Sequence, residues 1–437
     1  MLTQLASFDG QESVRGELVR PDRYRLLFDA LQCQSVIARG AGLSYCGAGA
    51  GSGVRSVSTL LFDRILEFDS KAGRLVAEPG LRIGDLVQFA VSRGWCPRVL
   101  PGHPMITIGG CVAFNVHGKS QYHDGNFIDC VESLVLYHPD HGEISCSREI
   151  EPELFQLTLG GFGLTGFITA LSLRLDPLKG RSVLRKSIPV HNLLEAVQLL
   201  EAHCSDSDSI YSWNDLNRRG PSFGRGIVYV EHFRPETVED RGRFRQLDPQ
   251  TRGRLGIRFF NRWTTGLVTR TYGLFEARRP RESLLNLKAA AFPINGWEIY
   301  YAMFGKAGFR EYQMLVPRSE WESTVKDVER LLVNSGVPAT LGSLKLFAGD
   351  TTLLNFSGSG ICLTIDVPAT KESLDLFARL DDLTLGVGGI VNLSKDSRLS
   401  AELVRRIFPE YEKFKKQLQS LDPKRRFDSA LRRRILV

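Results

Sequence analysis

The chain lacks most of the features that assign a protein quickly. No run in its 437 residues approaches the roughly 18 consecutive apolar positions a membrane-spanning helix needs. The opening MLTQLASFDGQESVRG has no basic region followed by an apolar core, so no secretory signal is expected. The cysteines (Cys33, Cys46, Cys96, Cys111, Cys130, Cys146, Cys204 and Cys362) form no CxxC pair, which argues for reduced thiols of a cytoplasmic protein rather than a disulfide scaffold. The histidines show neither HExxH nor Cys/His ligand spacing, and no metal is expected. GxxxxGK[ST] and GxSxG are absent, which excludes a P-loop and a serine-hydrolase elbow. No repeat of fixed period occurs.

What is present is ordinary globular composition with a basic bias. Lys and Arg number 56 against 49 Asp and Glu, a net charge of +7 that favours phosphates, nucleic acid or a lipid surface without choosing among them. Glycine, 42 residues, is gathered into three clusters: RGAGLSYCGAGAGSG (39–53), PGHPMITIGGCVAFNVHGK (101–119) and LGGFGLTGFIT (159–169). Backbone without Cβ approaches a ligand closely and aims successive N–H groups at phosphate oxygens. Three such loops predict a large phosphate-bearing cofactor.

Residues 24–42 read as a short helix and a strand entering the first cluster. Hairpins are predicted at 64–80, turning at Gly73, and at 131–146, with a helix between them from Ile83 to Gly94. Beyond Pro177 come strands at 226–233, 310–317 and 361–368 and helices at 319–336 and 371–383. The pattern is α+β rather than regular βαβ alternation. The third cluster contains a literal GxGxxG at Gly161, Gly163 and Gly166, but a helix (ELFQLTL) precedes it and a strand (FITALSLRL) follows. A dinucleotide fold needs the opposite order, so a Rossmann reading is rejected.

The three clusters, in this order, resemble the FAD-binding domain of the vanillyl-alcohol-oxidase superfamily, the p-cresol methylhydroxylase (PCMH) type. Further motifs, RGAGLSY (39–45), VLPGHPMITIGG with NVHGK (99–119), GGFGLTG (160–166), YQMLVP (312–317), KLF (345–347), DVP (366–368) and KDSR (395–398), are similar to the polyprenylphosphoryl-ribose oxidases within it. The resemblance implies a two-domain PCMH-type fold with an inserted α+β substrate domain, an antiparallel sheet flanked by helices. The expected parts are an FAD-binding portion (1–178), a substrate or cap domain (179–388) and a returning C-terminal segment (389–437). The implied activity is FAD-dependent oxidation of a sugar secondary hydroxyl, the 2′-hydroxyl of a polyprenyl-phosphoryl ribose. An NADH-dependent short-chain reductase would complete an epimerisation for cell-envelope synthesis. Superfamily members that bind FAD covalently carry His in RGxGHS; Leu43 stands there, so the flavin is expected to be noncovalent.

The resemblance assigns Arg39 to the cofactor and Gly40, Gly42, Ser44, Tyr45 and Gly47 to its pyrophosphate. Gly102, His103, Thr107, Gly109, Gly110, Ala113, Val116, His117 and Gly118 would line the flavin, and Gly163, Ile168 and Asn392 complete the cofactor contacts. Lys119, Gln313, Lys345 and Thr364 are expected at the substrate; Lys395 and His117 are the catalytic candidates. Two departures matter. The family's cysteine beside the flavin falls near Thr364, with Cys362 two positions away on the same strand face. One of its paired glutamines is Glu311 here.

Arginine and aromatic residues crowd 218–281. This reads either as a solvated loop or as a lid that docks on anionic lipid and admits a prenyl tail; nucleic-acid binding has no module to support it. The tail PKRRFDSALRRRILV reads as a basic surface helix. A peripheral contact with the inner membrane fits a lipid-linked substrate. The rival functions are oxidation of a soluble sugar, polyol or lactone, and a flavin-free basic binding protein.

Overall fold

The computed structural model describes residues 2–238, 256, 258–278, 280–293 and 299–436. Four sheets organise them. The first runs in the order Leu2–Ala6, Ser13–Val19, Arg55–Ser58, Val36–Arg39, antiparallel at the first pair and parallel at the other two. The second, antiparallel throughout, runs Ile65–Asp69, Arg74–Ala77, Phe167–Pro177, Val131–His138, Gly142–Ser147, and Trp95–Pro97 also pairs with Phe167–Pro177. Both expected hairpins are in it. The first reverses at Gly73, whose φ of +68° and a Trp95 ring 2.1 Å from any added Cβ require glycine.

Residues 182–391 supply two more antiparallel sheets. One is Ser209–Asp215, Arg225–Arg234, Ser182–Val190, Glu282–Asn286; the other is Leu341–Phe347, Gly360–Pro368, Phe309–Val316, Ile390–Val391. They meet where the Leu344 N–H donates to Ser212 Oγ at 3.1 Å. The helix Lys371–Gly386 is fixed at its start by a reciprocal cap: Thr370 Oγ1 accepts from the Ser373 N–H and Ser373 Oγ from the Thr370 N–H. Its inward stripe of Leu376, Phe377 and Leu380 covers one face of the last sheet, with the Phe377 ring 5.1 Å from that of Tyr312. That face carries Tyr312, Met314, Leu363 and Ile365, all buried. Because side chains alternate along a strand, the opposite face takes Glu311 and Gln313, Cys362, Thr364 and Asp366, and Ser343 and Lys345.

The tail departs from expectation. It is built into the core rather than laid on the surface. The Val36 N–H donates to Arg426 O, the Asp428 N–H to Val36 O and the Ala430 N–H to Ala50 O. The helix Ala430–Ile435 buries Leu431 and Ile435 completely, and its Arg432 pairs at 3.0 Å with the fully buried Asp422. Arg434 reaches Glu12 at 3.0 Å. The charge run looks solvated in the sequence because its acidic partners lie elsewhere along the chain. Within the Arg-rich middle a helix spans Arg262–Arg278. Arg241, Arg243, Arg245, Arg252, Arg254 and Arg279 lie outside the described residues. All eight cysteines are free. Among the described residues no helix is long and apolar enough to cross a membrane.

Candidate active site

The three glycine clusters converge. A Cβ on Gly40 would stand 2.4 Å from Thr107 Oγ1, so the first cluster lies directly against the second. Thr107 in turn caps a helix the sequence reading missed, Ile108–Ala113, by accepting from the Gly110 N–H at 3.2 Å. The second and third clusters are stitched by the Gly160 and Phe162 N–H groups, which donate to Val112 O and Ala113 O at 2.9 and 2.8 Å. Gly163, at φ +75°, faces Ile37 beneath the first cluster, and Ile168 pairs with Leu136 in the second sheet. Gly109 abuts Pro79 and Gly118 abuts Leu100, each too closely for a side chain, whereas the space beside Gly102 is open. The Val116 N–H closes the turn after the helix on Cys111 O, and His103 Nδ1 accepts from the Met105 N–H.

The first cluster has the chemistry of an anion cradle. Among the described residues, the successive N–H groups of Gly40, Ala41, Gly42, Leu43 and Ser44 donate to no protein acceptor. Among the described residues Arg39, 8% exposed, reaches only the carbonyls of Gly49 and Ala6, at 3.4 and 3.3 Å, and burial pulls its pKa down. A buried guanidinium without a carboxylate beside a row of unused amides fits a pyrophosphate. A small cavity opens there, lined by Arg39, Gly42, Ser44 and Gly47 and also by Glu12, whose carboxylate is paired with Arg434.

The polar face of the last sheet lies next to this loop. The Tyr45 N–H donates to Ser394 O at 3.0 Å, and Lys395 Nζ sits 4.0 Å above the Tyr45 ring centroid. The same Nζ is 3.4 Å from Glu311 Oε1. Gln313 Nε2 donates to Thr364 Oγ1 at 3.0 Å, while Asn392 Nδ2 donates to Gln313 Oε1 and Asn392 Oδ1 accepts from the Ser394 N–H. Asn392 therefore fixes the turn that carries Lys395. Lys345 stands opposite Cys362 in the strand register, and Cys362 and Thr364 share one face as the period of two requires.

Burial sets the protonation of this surface. His117, packed against Phe347 at 4.8 Å, is held down to about 3 by desolvation and then by Lys345, so its imidazole is neutral. Desolvation lowers Lys345 and brings Lys119 to about 8. It raises the Cys362 thiol to about 12, against the pull of Lys345. Asp366 is pushed well above the carboxylate range by burial and by Glu311, its register partner. Asp366, Glu311 and Lys395 thus stand side by side, with Lys395 Nζ 3.4 Å from Glu311 Oε1 and Asp366 opposite Glu311 in the strand register.

Two placements were not legible. Lys119 is drawn to the far end of the surface. There it donates to Ala290 O, lies over the Tyr211 ring at 4.5 Å and stands 3.8 Å from Glu231. Asp366 and its partner Tyr300, whose hydroxyl donates to Asp366 Oδ2 at 2.9 Å, were not singled out. The alternation of Thr364 and Asp366 was the available signal for the first. Tyr300 lies 66 positions away and had none.

Residues 30–147 match the family described as FAD binding domain. Over 92% of this chain and 89% of the relative, the sequence is 27% identical to decaprenylphosphoryl-beta-D-ribose oxidase of Mycolicibacterium smegmatis. It is 28% identical to an uncharacterized protein of Streptomyces coelicolor, over 80% of this chain and 98% of that one. A shorter match, 29% identical over 36% of this chain and 27% of the other, links it to L-galactono-1,4-lactone dehydrogenase 1 of Oryza sativa. Together with the anion cradle, these matches remove the flavin-free binding protein.

Proposed function

The chain is an FAD-dependent oxidoreductase, and we propose that it oxidises a secondary hydroxyl of a sugar carried on a polyprenyl phosphate, the 2′-hydroxyl of a ribose, to the keto sugar. The observation that carries this reading is the polar face of the last sheet, pressed against the cofactor cradle through Tyr45 and Lys395. Support for the lipid-linked substrate comes from the relative that matches nearly the whole chain and from the amines of Lys345 and Lys119, which are donors suited to a phosphodiester. An NADH-dependent short-chain reductase would take the keto sugar onward.

When bound, FAD supplies the two-electron acceptor for the carbinol hydride. Arg39, the amides of residues 40–44 and Gly47 would hold its pyrophosphate, and Gly102, Thr107, Gly110 and His117 would border the ring. With Leu43 in place of a histidine, attachment is noncovalent. The remaining work falls to the protein's own side chains. Lys395 Nζ orients the sugar hydroxyl by donating to its oxygen. Glu311, within 3.4 Å of that ammonium, accepts the hydroxyl proton at Oε1. Burial and the neighbouring Glu311 favour the acid form of Asp366, in which it would donate to Glu311. Neutral His117 and Gln313 hold the ring hydroxyls without adding charge.

The test is anaerobic flavin reduction with a panel of prenyl-phosphoryl pentoses, soluble sugars, polyols and lactones, with the product identified by mass. Reduction confined to prenyl-phosphoryl pentoses, giving a product two hydrogens lighter, supports the reading. Reduction by a free sugar or lactone alone contradicts it.

A further inference from the structure

The helix Arg262–Arg278 is packed with its polar side inward. At about 100° per residue, Thr265, Thr269 and Glu276 fall on one side and Trp263, Leu267, Arg270, Leu274 and Arg278 on the other. The polar side is the buried one: Thr265, Thr269 and Glu276 are 0%, 5% and 5% exposed, and Glu276 accepts from the Tyr229 hydroxyl at 3.3 Å. Tyr272 lies beside them, its ring 4.7 Å from Trp213. The apolar side faces outward, with Trp263 80%, Leu267 65% and Leu274 57% exposed. A helix on a water-facing surface has the reverse arrangement, and an apolar stripe left outside marks a contact face.

Charge selects the occupant. Between Arg258 and Arg281 the sequence carries Arg258, Arg262, Arg270, Arg278, Arg279 and Arg281 against a single acid, Glu276, which is turned inward. A second copy of the chain would bring these arginines against one another. An anionic bilayer surface instead meets arginine with phosphate at the level of the headgroups, and tryptophan and leucine with the acyl boundary just beneath.

We propose that the helix Arg262–Arg278 lies on an anionic lipid surface, with Trp263, Leu267 and Leu274 inserted at the headgroup boundary, Arg270 and Arg278 on the phosphates, and Arg262, at the helix start with its guanidinium 6.0 Å from the Trp263 ring centroid, reaching them from the end. The helix packs on the strands Ser209–Asp215 and Arg225–Arg234, which carry Tyr211 and Glu231, the partners of Lys119. Docking therefore sets the Lys119 end of the active surface toward the bilayer. This goes beyond the sugar reading and does not depend on it, because bare vesicles suffice as the probe.

The experiment is flotation of the FAD-loaded protein with vesicles of phosphatidylcholine alone and of phosphatidylcholine mixed equally with phosphatidylglycerol. The wild type is expected to float with the anionic vesicles and not with the neutral ones. Combined Trp263→Ser, Leu267→Ser and Leu274→Ser should abolish flotation, and combined Arg262→Gln, Arg270→Gln and Arg278→Gln should weaken binding about a hundredfold. Unchanged flavin absorbance in both variants shows that they fold. Absence of flotation with either vesicle, or flotation of the serine variant like the wild type, overturns the proposal. So does a dimer that the serine variant converts to monomer without lipid, which would assign the face to a second copy. Vesicle binding with no sugar turnover would leave this inference standing and remove only the substrate.

Discussion

Lys395 stands between Glu311 and Tyr45, its Nζ 3.4 Å from the carboxylate and 4.0 Å from the centroid of the ring. One contact reaches into the sheet and the other onto the first glycine loop, so the ammonium spans the cofactor cradle and the proton acceptor. Glu311→Gln keeps the shape and removes the acceptor. The rate constant of anaerobic flavin reduction should fall about a hundredfold, with FAD content and substrate affinity unchanged. An unchanged rate would send the proton elsewhere.

His117 makes stability depend on pH. Its folded pKa, about 3, lies below the ordinary 6.5, so the unfolded chain takes up the proton first. The stability this protects is complete at high pH and is lost as pH falls below the ordinary value. Between about pH 7.5 and about pH 5.5 the wild type should lose about 1.4 kcal/mol more than His117→Phe, measured by denaturant unfolding. Equal losses would mean that His117 is not a buried neutral imidazole.

The cradle depends on Gly42, which has φ +68° and would place a Cβ 2.6 Å from the Arg39 guanidinium. Gly42→Val should purify without flavin absorbance while keeping its far-ultraviolet circular dichroism, because β-branched residues strain this region. The wild-type flavin should pass wholly into the supernatant on acid precipitation. A yellow valine variant, or flavin retained in the wild-type pellet, contradicts the arrangement.

The tail offers a stability test within one helix. Arg432→Ala takes the guanidinium away from the fully buried Asp422, leaving its carboxylate to the Arg426 and Phe427 N–H groups, and should cost about 3 kcal/mol. The neighbouring Arg433→Ala, whose pair with Asp428 is half exposed, should cost under about 1 kcal/mol. Equal unfolding midpoints in the two variants would show that the tail does not close the core.

Local pattern revealed a good deal of this. The Gly73 hairpin and the helix-before-strand order around Gly161–Gly166 follow from residues next to one another, the helix from Ile83 ends at Val91, three residues short of Gly94, and the strand period put Cys362 and Thr364 on one face. What escaped was non-local. The RRR of the tail reads as surface until Asp422 and Glu12 are brought to it, and Lys119 belongs to the far end of the site because Glu231 and Tyr211 hold it there. The inward polar side of Arg262–Arg278 could not be distinguished from an outward one without knowing which side packs.

The most direct test of the central claim is single-turnover flavin reduction by a prenyl-phosphoryl ribose in the wild type and in Lys395→Ala, each loaded with FAD. The account predicts full bleaching in the wild type and a rate at least about a hundredfold lower in the variant, with the same flavin content. Equal rates in the two proteins would contradict it.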